Sequence, residues 1–168
     1  MKHIKYEPLI DSEALNLGAE IIGEVIIEKD VNMWFNATIR GDMAKVTIKE
    51  GTNIQDNVVV HTNTDAPTYI GKMVTVGHSA IIHAATVGNY CLIGMGSIIL
   101  DKAVIGDYAL VAAGTLVPPG KVVPPRTLVM GNPMRIIREL TEEEIEANIE
   151  NSRKYIKLAR EYYDEKNN

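Results

Sequence analysis

Several residue types are scarce in this chain of 168 residues, and each scarcity excludes a class of protein. There is one Cys, which excludes an intrachain disulfide and suits a reducing cytoplasm. No apolar run approaches transmembrane length, and the first residues contain no signal-peptide core. The net charge is −5, without a basic stripe, so nucleic acid and anionic membranes are not expected as partners. The length predicts one domain over residues 1–168.

Aromatic residues are also few, with one Phe and one Trp, which suits a core of stacked aliphatic side chains. An aliphatic residue recurs every six positions, clearly so at Ile70, Val76 and Ile82 and again from Val87 to Val129. Helices repeat near 3.6 residues and strands near 2, whereas six residues make one side of a parallel β-helix. A β-sandwich has no reason to keep a six-residue register. We therefore predict an all-β parallel β-helix over about residues 12–135, with about five coils of roughly 18 residues.

A helix is predicted after the repeats. Thr141 and Glu144 have the spacing of a capping box, and we expect the helix to run over about 141–165. Ile145, Ser152 and Ala159 belong to a stripe with spacings of three and four residues. This stripe is expected to pack on a flat side of the β-helix.

Three of the four histidines lie within the repeats. His61 and His83 each directly follow an aliphatic of the same repeat position, one coil apart, so their imidazoles are expected to stack about 4.8 Å apart. Two imidazoles at this spacing can share a metal ion at about 2.0–2.1 Å. His78 follows a different side of the coil, so we expect an adjacent chain to bring it to the pair. The alternative is a solvated surface histidine, as we assign His3.

His61 and His83 form one line of stacked side chains and His78 belongs to a second, and each line contains a further polar residue. Arg40 falls one coil below His61, and Asp56 falls one coil below His78. If the two lines face each other between chains, Arg40 meets Asp56 below the metal and helps to set the register. The alternative is a solvated surface pair that contributes little.

These residues resemble the γ-class carbonic anhydrase family, in the bacterial branch of small hexapeptide proteins. The matching segments are Ile39-Arg40-Gly41-Asp42, Asn53-Ile54-Gln55-Asp56-Asn57, Val60-His61, Val76-Gly77-His78-Ser79-Ala80-Ile81-Ile82-His83, and the less specific Gly131-Asn132-Pro133 with Arg135. The resemblance covers nearly the whole chain, and the two histidines four residues apart after an upstream Val-His are its specific part.

The resemblance implies a left-handed β-helix and a homotrimer with metals between chains. It implies that Arg40 and Asp42 help to hold the interface, and that Gln55 hydrogen-bonds the bound water or bicarbonate, with Asp56 in the same network. Tyr155 resembles a tyrosine that reaches the site in this branch, although a packing role on the helix explains it equally well.

Three imidazoles on a divalent ion leave one position for water. The ion lowers the pKa of that water from 15.7 to about 7, so that hydroxide can attack CO₂ and give bicarbonate. We expect Zn²⁺, and imidazole also suits Fe²⁺ and Co²⁺. Well-characterised relatives have a Glu after the residue matching Asp42, where this chain has Met43, and an acidic loop where this chain has only Asp65. Slow proton transfer is therefore expected.

Three other functions fit parts of the sequence. Hexapeptide acyltransferases share the repeats and the Gly-Asn-Pro ending, but they use one histidine as a base and need no metal. A metal-binding or assembly protein without turnover is the second alternative. A hydrolase that directs metal-activated hydroxide at an ester or thioester is the third.

Overall fold

The computed structural model describes residues 6–167, so His3 lies outside the described residues. The repeats form a parallel β-solenoid of about 7 turns, which confirms the predicted β-helix. The prediction of about five coils was wrong. In the first coil, Asn16 stands where Met33 stands one coil later. The aliphatic series is interrupted at this position, so a count of coils based on aliphatic residues misses this coil.

The solenoid has three faces, and short strands stack in register along each of them. The first, which we call the helix face, is made of Leu15–Asn16, Asn32–Met33, Asn53–Ile54, Thr75–Val76, Leu92–Ile93, Leu110–Val111 and Thr127–Met130. Arg135–Glu139 then pairs antiparallel with the last of these.

The second face, which we call the histidine face, is made of Glu20–Ile27, Thr38–Ile48, Val59–His61, Ile81–His83, Ile98–Ile99 and Leu116–Val117. Glu20–Ile27 and Thr38–Ile48 are long enough to turn a corner and continue on the third face. That face also contains Leu9–Ile10, Thr68–Ile70, Thr86–Val87, Val104–Ile105 and Val122–Val123.

The core is the stack of inward aliphatics that the repeat predicted. Ile70, Val76 and Ile82 are fully buried, as are their equivalents in the next coil, Val87, Ile93 and Ile99. Parallel coils are tied by regular backbone hydrogen bonds, such as Ile81 N to Ser97 O at 2.8 Å. Each residue's place is therefore set by its position in the repeat, and side chains one coil apart become neighbours.

Helix α1 spans Glu142–Asn167, close to the predicted bounds. The capping box is present: the Glu144 N–H donates to Thr141 Oγ1 at 3.3 Å, and the Thr141 N–H donates to Glu144 Oε2 at 2.9 Å. Ile145, Ser152 and Ala159 are buried, as predicted, and α1 contacts the lower coils of the helix face. No helix among the described residues is long and apolar enough to cross a membrane.

Cys91 is buried in the core, and burial raises the pKa of its thiol to about 12. At pH 8 almost all of this thiol is protonated, and the thiolate is the reactive form. We expect native protein to resist iodoacetamide at pH 8 for hours and denatured protein to take one label per chain, as measured by intact mass. Rapid labelling of the native protein would contradict the packing role that we assign to Cys91.

Candidate metal centre

Strand pairing places His83 directly above His61, one coil apart. The register pairs Ile82 with Val60 and His83 with His61, and the same ladder pairs His61 with Arg40 below it. The two imidazole centroids are 5.2 Å apart. The stacking predicted from the hexapeptide register is confirmed, and it follows from the regular spacing of parallel strands.

Asp42 holds the lower imidazole. Its Oδ1 lies 2.9 Å from His61 Nε2, and its Oδ2 accepts a hydrogen bond from the Arg40 guanidinium. Burial alone would raise the pKa of Asp42, but the hydrogen bonds from His61 and Arg40 together outweigh it and lower this pKa below its usual value. One nitrogen of His61 is thereby engaged, and the other remains for a further ligand.

Asp101 holds the upper imidazole, and the sequence interpretation missed it. Its Oδ2 lies 2.9 Å from His83 Nδ1, and its Oδ1 accepts from Asn63 Nδ2 at 2.8 Å. The hydrogen bonds from Asn63 and then from His83 lower the pKa of Asp101. The strand register pairs Ile82 with Ile99, so Leu100 stacks above His83 and Asp101 is the next residue. The repeat therefore indicated that Asp101 lies near His83, but not that the two side chains meet.

His78 and Asp56 form a separate pair at the other edge of the histidine face. His78 Nδ1 lies 2.9 Å from Asp56 Oδ2, which agrees with the predicted stacking of His78 above Asp56. Asp56 and His78 lie in turns with the same backbone conformation, because the residue after each of them, Asn57 and Ser79, has φ near 60°. A Cβ at Gly77 would lie 2.8 Å from the Met95 backbone nitrogen, so this corner needs glycine beside His78.

The two histidine lines do not meet within one chain. His78 precedes the strand Ile81–His83, and the His61–His83 pair ends it. His78 and Ser79 form a turn before this strand, so His78 lies at one end of the strand and the stacked pair lies at the other. Among residues 6–167 no three His, Cys, Asp or Glu side chains are grouped so that they could hold a metal.

Gln55 lies beside His78, and both ends of its amide are engaged. Its Oε1 accepts from the His78 backbone N–H at 3.2 Å, and its Nε2 donates to Asn53 Oδ1 at 3.1 Å. Asn53 in turn donates to Thr75 Oγ1 at 2.9 Å. Asn151 of α1 also donates to Thr75 Oγ1, at 3.1 Å, so the helix is linked to Gln55 through buried polar groups.

A cleft of about 330 Å³ opens between α1 and the helix face. Its polar end contains Gln55, His78, Asn151 and Tyr155, and its apolar wall continues over the next coils at Leu92, Met95, Leu110, Ala112 and Ala113. Burial, and then the nearby Asp56 carboxylate, raise the pKa of Tyr155. The Tyr155 ring also packs edge-on against Trp34 with centroids 5.6 Å apart, so this residue both packs the helix and reaches the cleft.

Met43 and Asp65, the positions that differ from well-characterised relatives, both lie at the surface. Met43 is 49% exposed on the strand Thr38–Ile48, just after Asp42. Asp65 is exposed at the tip of a turn closed by backbone hydrogen bonds between Asn63 and Ala66. This turn belongs to the insertion between Val60 and Ile70 and carries Asn63 to Asp101.

Comparison with known proteins connects this arrangement with a family. The family model "Bacterial transferase hexapeptide (six repeats)" matches residues 84–119. The chain is 52% identical over 142 residues to a probable carbonic anhydrase of Methanocaldococcus jannaschii, which covers 84% of this chain and 89% of that protein. It is 40% identical over 159 residues to the mitochondrial gamma carbonic anhydrase 2 of Arabidopsis thaliana, covering 90% of this chain and 57% of the relative.

The fold agrees with a solved structure as well. A hexapeptide transferase family protein from Anaplasma phagocytophilum superimposes with a TM-score of 0.91 at 44% identity, covering 96% of this chain and 99% of that one. The carbonic anhydrase relatives match at comparable identity over most of the same chain. The chain therefore belongs to the γ-class carbonic anhydrase family of hexapeptide-repeat proteins.

Proposed function

We propose that this protein catalyses the reversible hydration of CO₂ to bicarbonate at a divalent metal site shared by adjacent chains of a homotrimer. One observation carries the proposal: His61, His78 and His83 each have a carboxylate on one ring nitrogen. Metal-binding histidines are typically held in this way, because the partner fixes the tautomer and leaves the other nitrogen for the ion.

The donor set fits a catalytic metal. Three neutral imidazoles are a known ligand set for zinc that leaves one position open, and they also suit Fe²⁺ and Co²⁺. We propose Zn²⁺ as the ion, with His61 and His83 of one chain and His78 of its neighbour as ligands. When bound, such an ion lowers the pKa of a water ligand to about 7, which supplies the nucleophile for CO₂ at neutral pH.

The protein groups around the proposed site orient the ligands and the substrate. Asp42 holds His61, Asp56 holds His78, and the Asn53 side chain with the His78 backbone holds the amide of Gln55. An amide carries two N–H donors, so the second one on Gln55 can donate to a bicarbonate oxygen. The apolar wall of the cleft suits CO₂, which has no net charge or dipole.

Arg40 has a second proposed role, at the interface between chains. Within one chain its guanidinium binds Asp42, which leaves several of its five N–H donors for other partners. We propose that these donors reach Asp56 of the neighbouring chain and set the register of the two histidine lines. The same carboxylates would then orient the ligands and join the chains.

Proton transfer is expected to limit this enzyme, because Met43 stands where an acidic group would accept the proton. General acid–base assistance is worth roughly 10²–10⁴-fold, and small buffers such as imidazole can replace it. We expect kcat for CO₂ hydration to rise with buffer concentration, and Met43→Glu to raise the rate at low buffer. Stopped-flow hydration measured against buffer concentration is the test.

Asp65→Asn is the matched control for that experiment, since it removes the one acidic group of the neighbouring turn. A lower rate for Asp65→Asn at low buffer would show that this residue accepts the proton instead. A fast wild-type enzyme that is indifferent to buffer and unchanged by Asp65→Asn would contradict slow proton transfer, and Tyr155 would be the next group to test.

The decisive experiment for the function itself combines elemental analysis of anaerobically purified protein with a stopped-flow CO₂ assay. We expect about one metal ion per chain and hydration that a chelator abolishes. The repeat-family match favours an acyltransferase as the second candidate. Metal-free protein that transfers acetyl groups from acetyl-CoA would support it and overturn our proposal. A fully metallated protein without hydration would favour the ester or thioester hydrolase, or the binding protein.

A further inference from the structure

We propose that Asp101 is the positioning residue of His83, and that Asn63 in turn positions Asp101. Neither residue is adjacent in sequence to any of the three histidines that we propose as ligands. The inference rests on the proposed function, because it takes His83 as a metal ligand. What it adds is the group that decides which nitrogen of His83 faces the metal.

The geometry assigns the tautomer of His83. An ionised carboxylate only accepts hydrogen bonds, so the 2.9 Å contact between Asp101 Oδ2 and His83 Nδ1 requires a proton on Nδ1. In the neutral ring Nε2 then has a free lone pair, which is the form that binds a metal. Asp101 therefore keeps the ligand atom of His83 unprotonated and fixes the plane of the ring.

Asn63 fixes Asp101 because its own orientation is fixed. Asn63 Oδ1 accepts from the Thr64 backbone N–H at 2.8 Å, so its Nδ2 is directed to Asp101 Oδ1, also at 2.8 Å. The backbone of Asn63 is held by two hydrogen bonds with Ala66, at 3.2 and 3.0 Å. The turn in the insertion therefore reaches the proposed ligand through two consecutive hydrogen bonds.

The three histidines receive their carboxylates in different ways. Asp42 is shared with Arg40, and Asp56 lies one coil below its histidine. Asp101 comes from the coil above and has a neutral amide as its second partner. Loss of Asp101 thus removes the carboxylate of His83 alone, and the other two pairs remain.

The test compares Asp101→Ala, Asp101→Asn and Asn63→Ala with Asp107→Asn as the control. Asp107 accepts from the Asn89 backbone N–H at 2.7 Å, one coil above and away from the histidines. The full-length proteins are prepared metal-free. The tautomer of His83 is read from long-range ¹H–¹⁵N spectra, zinc affinity from chelator competition, and stability from thermal unfolding of the metal-free form.

We expect the wild type and Asp107→Asn to show His83 protonated on Nδ1, and Asp101→Ala to shift the ring toward the Nε2–H tautomer. Zinc affinity should fall by roughly 10–100-fold for Asp101→Ala, the usual effect of losing an outer-shell partner. Asp101→Asn retains an oxygen acceptor and should recover part of this loss. The zinc affinity of Asn63→Ala should lie between those of the wild type and Asp101→Ala.

An unchanged His83 tautomer in Asp101→Ala would overturn the inference, as would a zinc affinity equal to that of Asp107→Asn. A loss of affinity accompanied by an equal loss in Asp107→Asn, or explained by unfolding of the metal-free protein, would also overturn it. The tautomer is measured without metal. If the wild-type protein binds no zinc, the proposed function fails, while the spectra still decide whether Asp101 positions His83.

Discussion

His83→Ala is expected to lose bound metal and CO₂ hydration together. This variant removes one of three proposed ligands, so the loss of metal affinity should exceed the roughly 10–100-fold that an outer-shell change produces. Elemental analysis after dialysis should fall from about one metal per chain to a trace. Because the His83 side chain points outward from a corner and is only half-buried, the metal-free fold should keep its thermal stability.

His3→Ala is the matched control, since His3 precedes the repeats in the sequence. It should keep both metal and activity. Retention of the full metal content by His83→Ala would remove the three-histidine site from the proposal. Loss of hydration without loss of metal would instead make His83 a group that acts on the substrate.

A mixture of His61→Ala and His78→Ala subunits is expected to recover metal binding that neither variant has alone. In a head-to-tail ring each interface takes the His61–His83 pair from one chain and His78 from the next. With equal and random mixing, about one quarter of the interfaces combine an intact pair with an intact His78. Metal content and hydration rate should therefore rise to about a quarter of the wild-type values.

Two controls make this result decisive. Mass spectrometry of differently labelled subunits establishes that mixed trimers have formed. A mixture of His61→Ala with His83→Ala subunits should recover nothing, because both variants break the same line of histidines. No recovery in the first mixture, once exchange is shown, would contradict a site shared between chains.

The sequence was sufficient to predict how the histidines of one chain are arranged. In a solenoid a residue's place depends almost linearly on its number, so the six-residue register puts His83 above His61 and His78 above Asp56. The same regularity predicted the buried aliphatics, and the helical spacing of three and four residues predicted the face of α1 that packs on the coils. The number of coils was not predicted correctly, because Asn16 interrupts the aliphatic series in the first coil.

The partners of the histidines were only partly predictable. Register says which residues are neighbours, but hydrogen bonds depend on the direction that a side chain takes beyond a corner. Arg40 was expected to meet Asp56 between chains, and within the chain it binds Asp42. Asp101 follows Leu100, the residue that the register places above His83, so the repeat indicated only that Asp101 is nearby. Its contact with Asn63 depends on how the inserted turn folds back.

The sequence by itself therefore determined the β-helix, the stacked His61–His83 pair and the membership of the family, since all three follow from a pattern that is local and repeated. The tertiary structure decided the features that break the pattern: the turn that carries Asn63 to Asp101 and the docking of α1 beside Gln55. Insertions and helix packing are contacts between segments distant in the chain, and the repeat period contains no information about them.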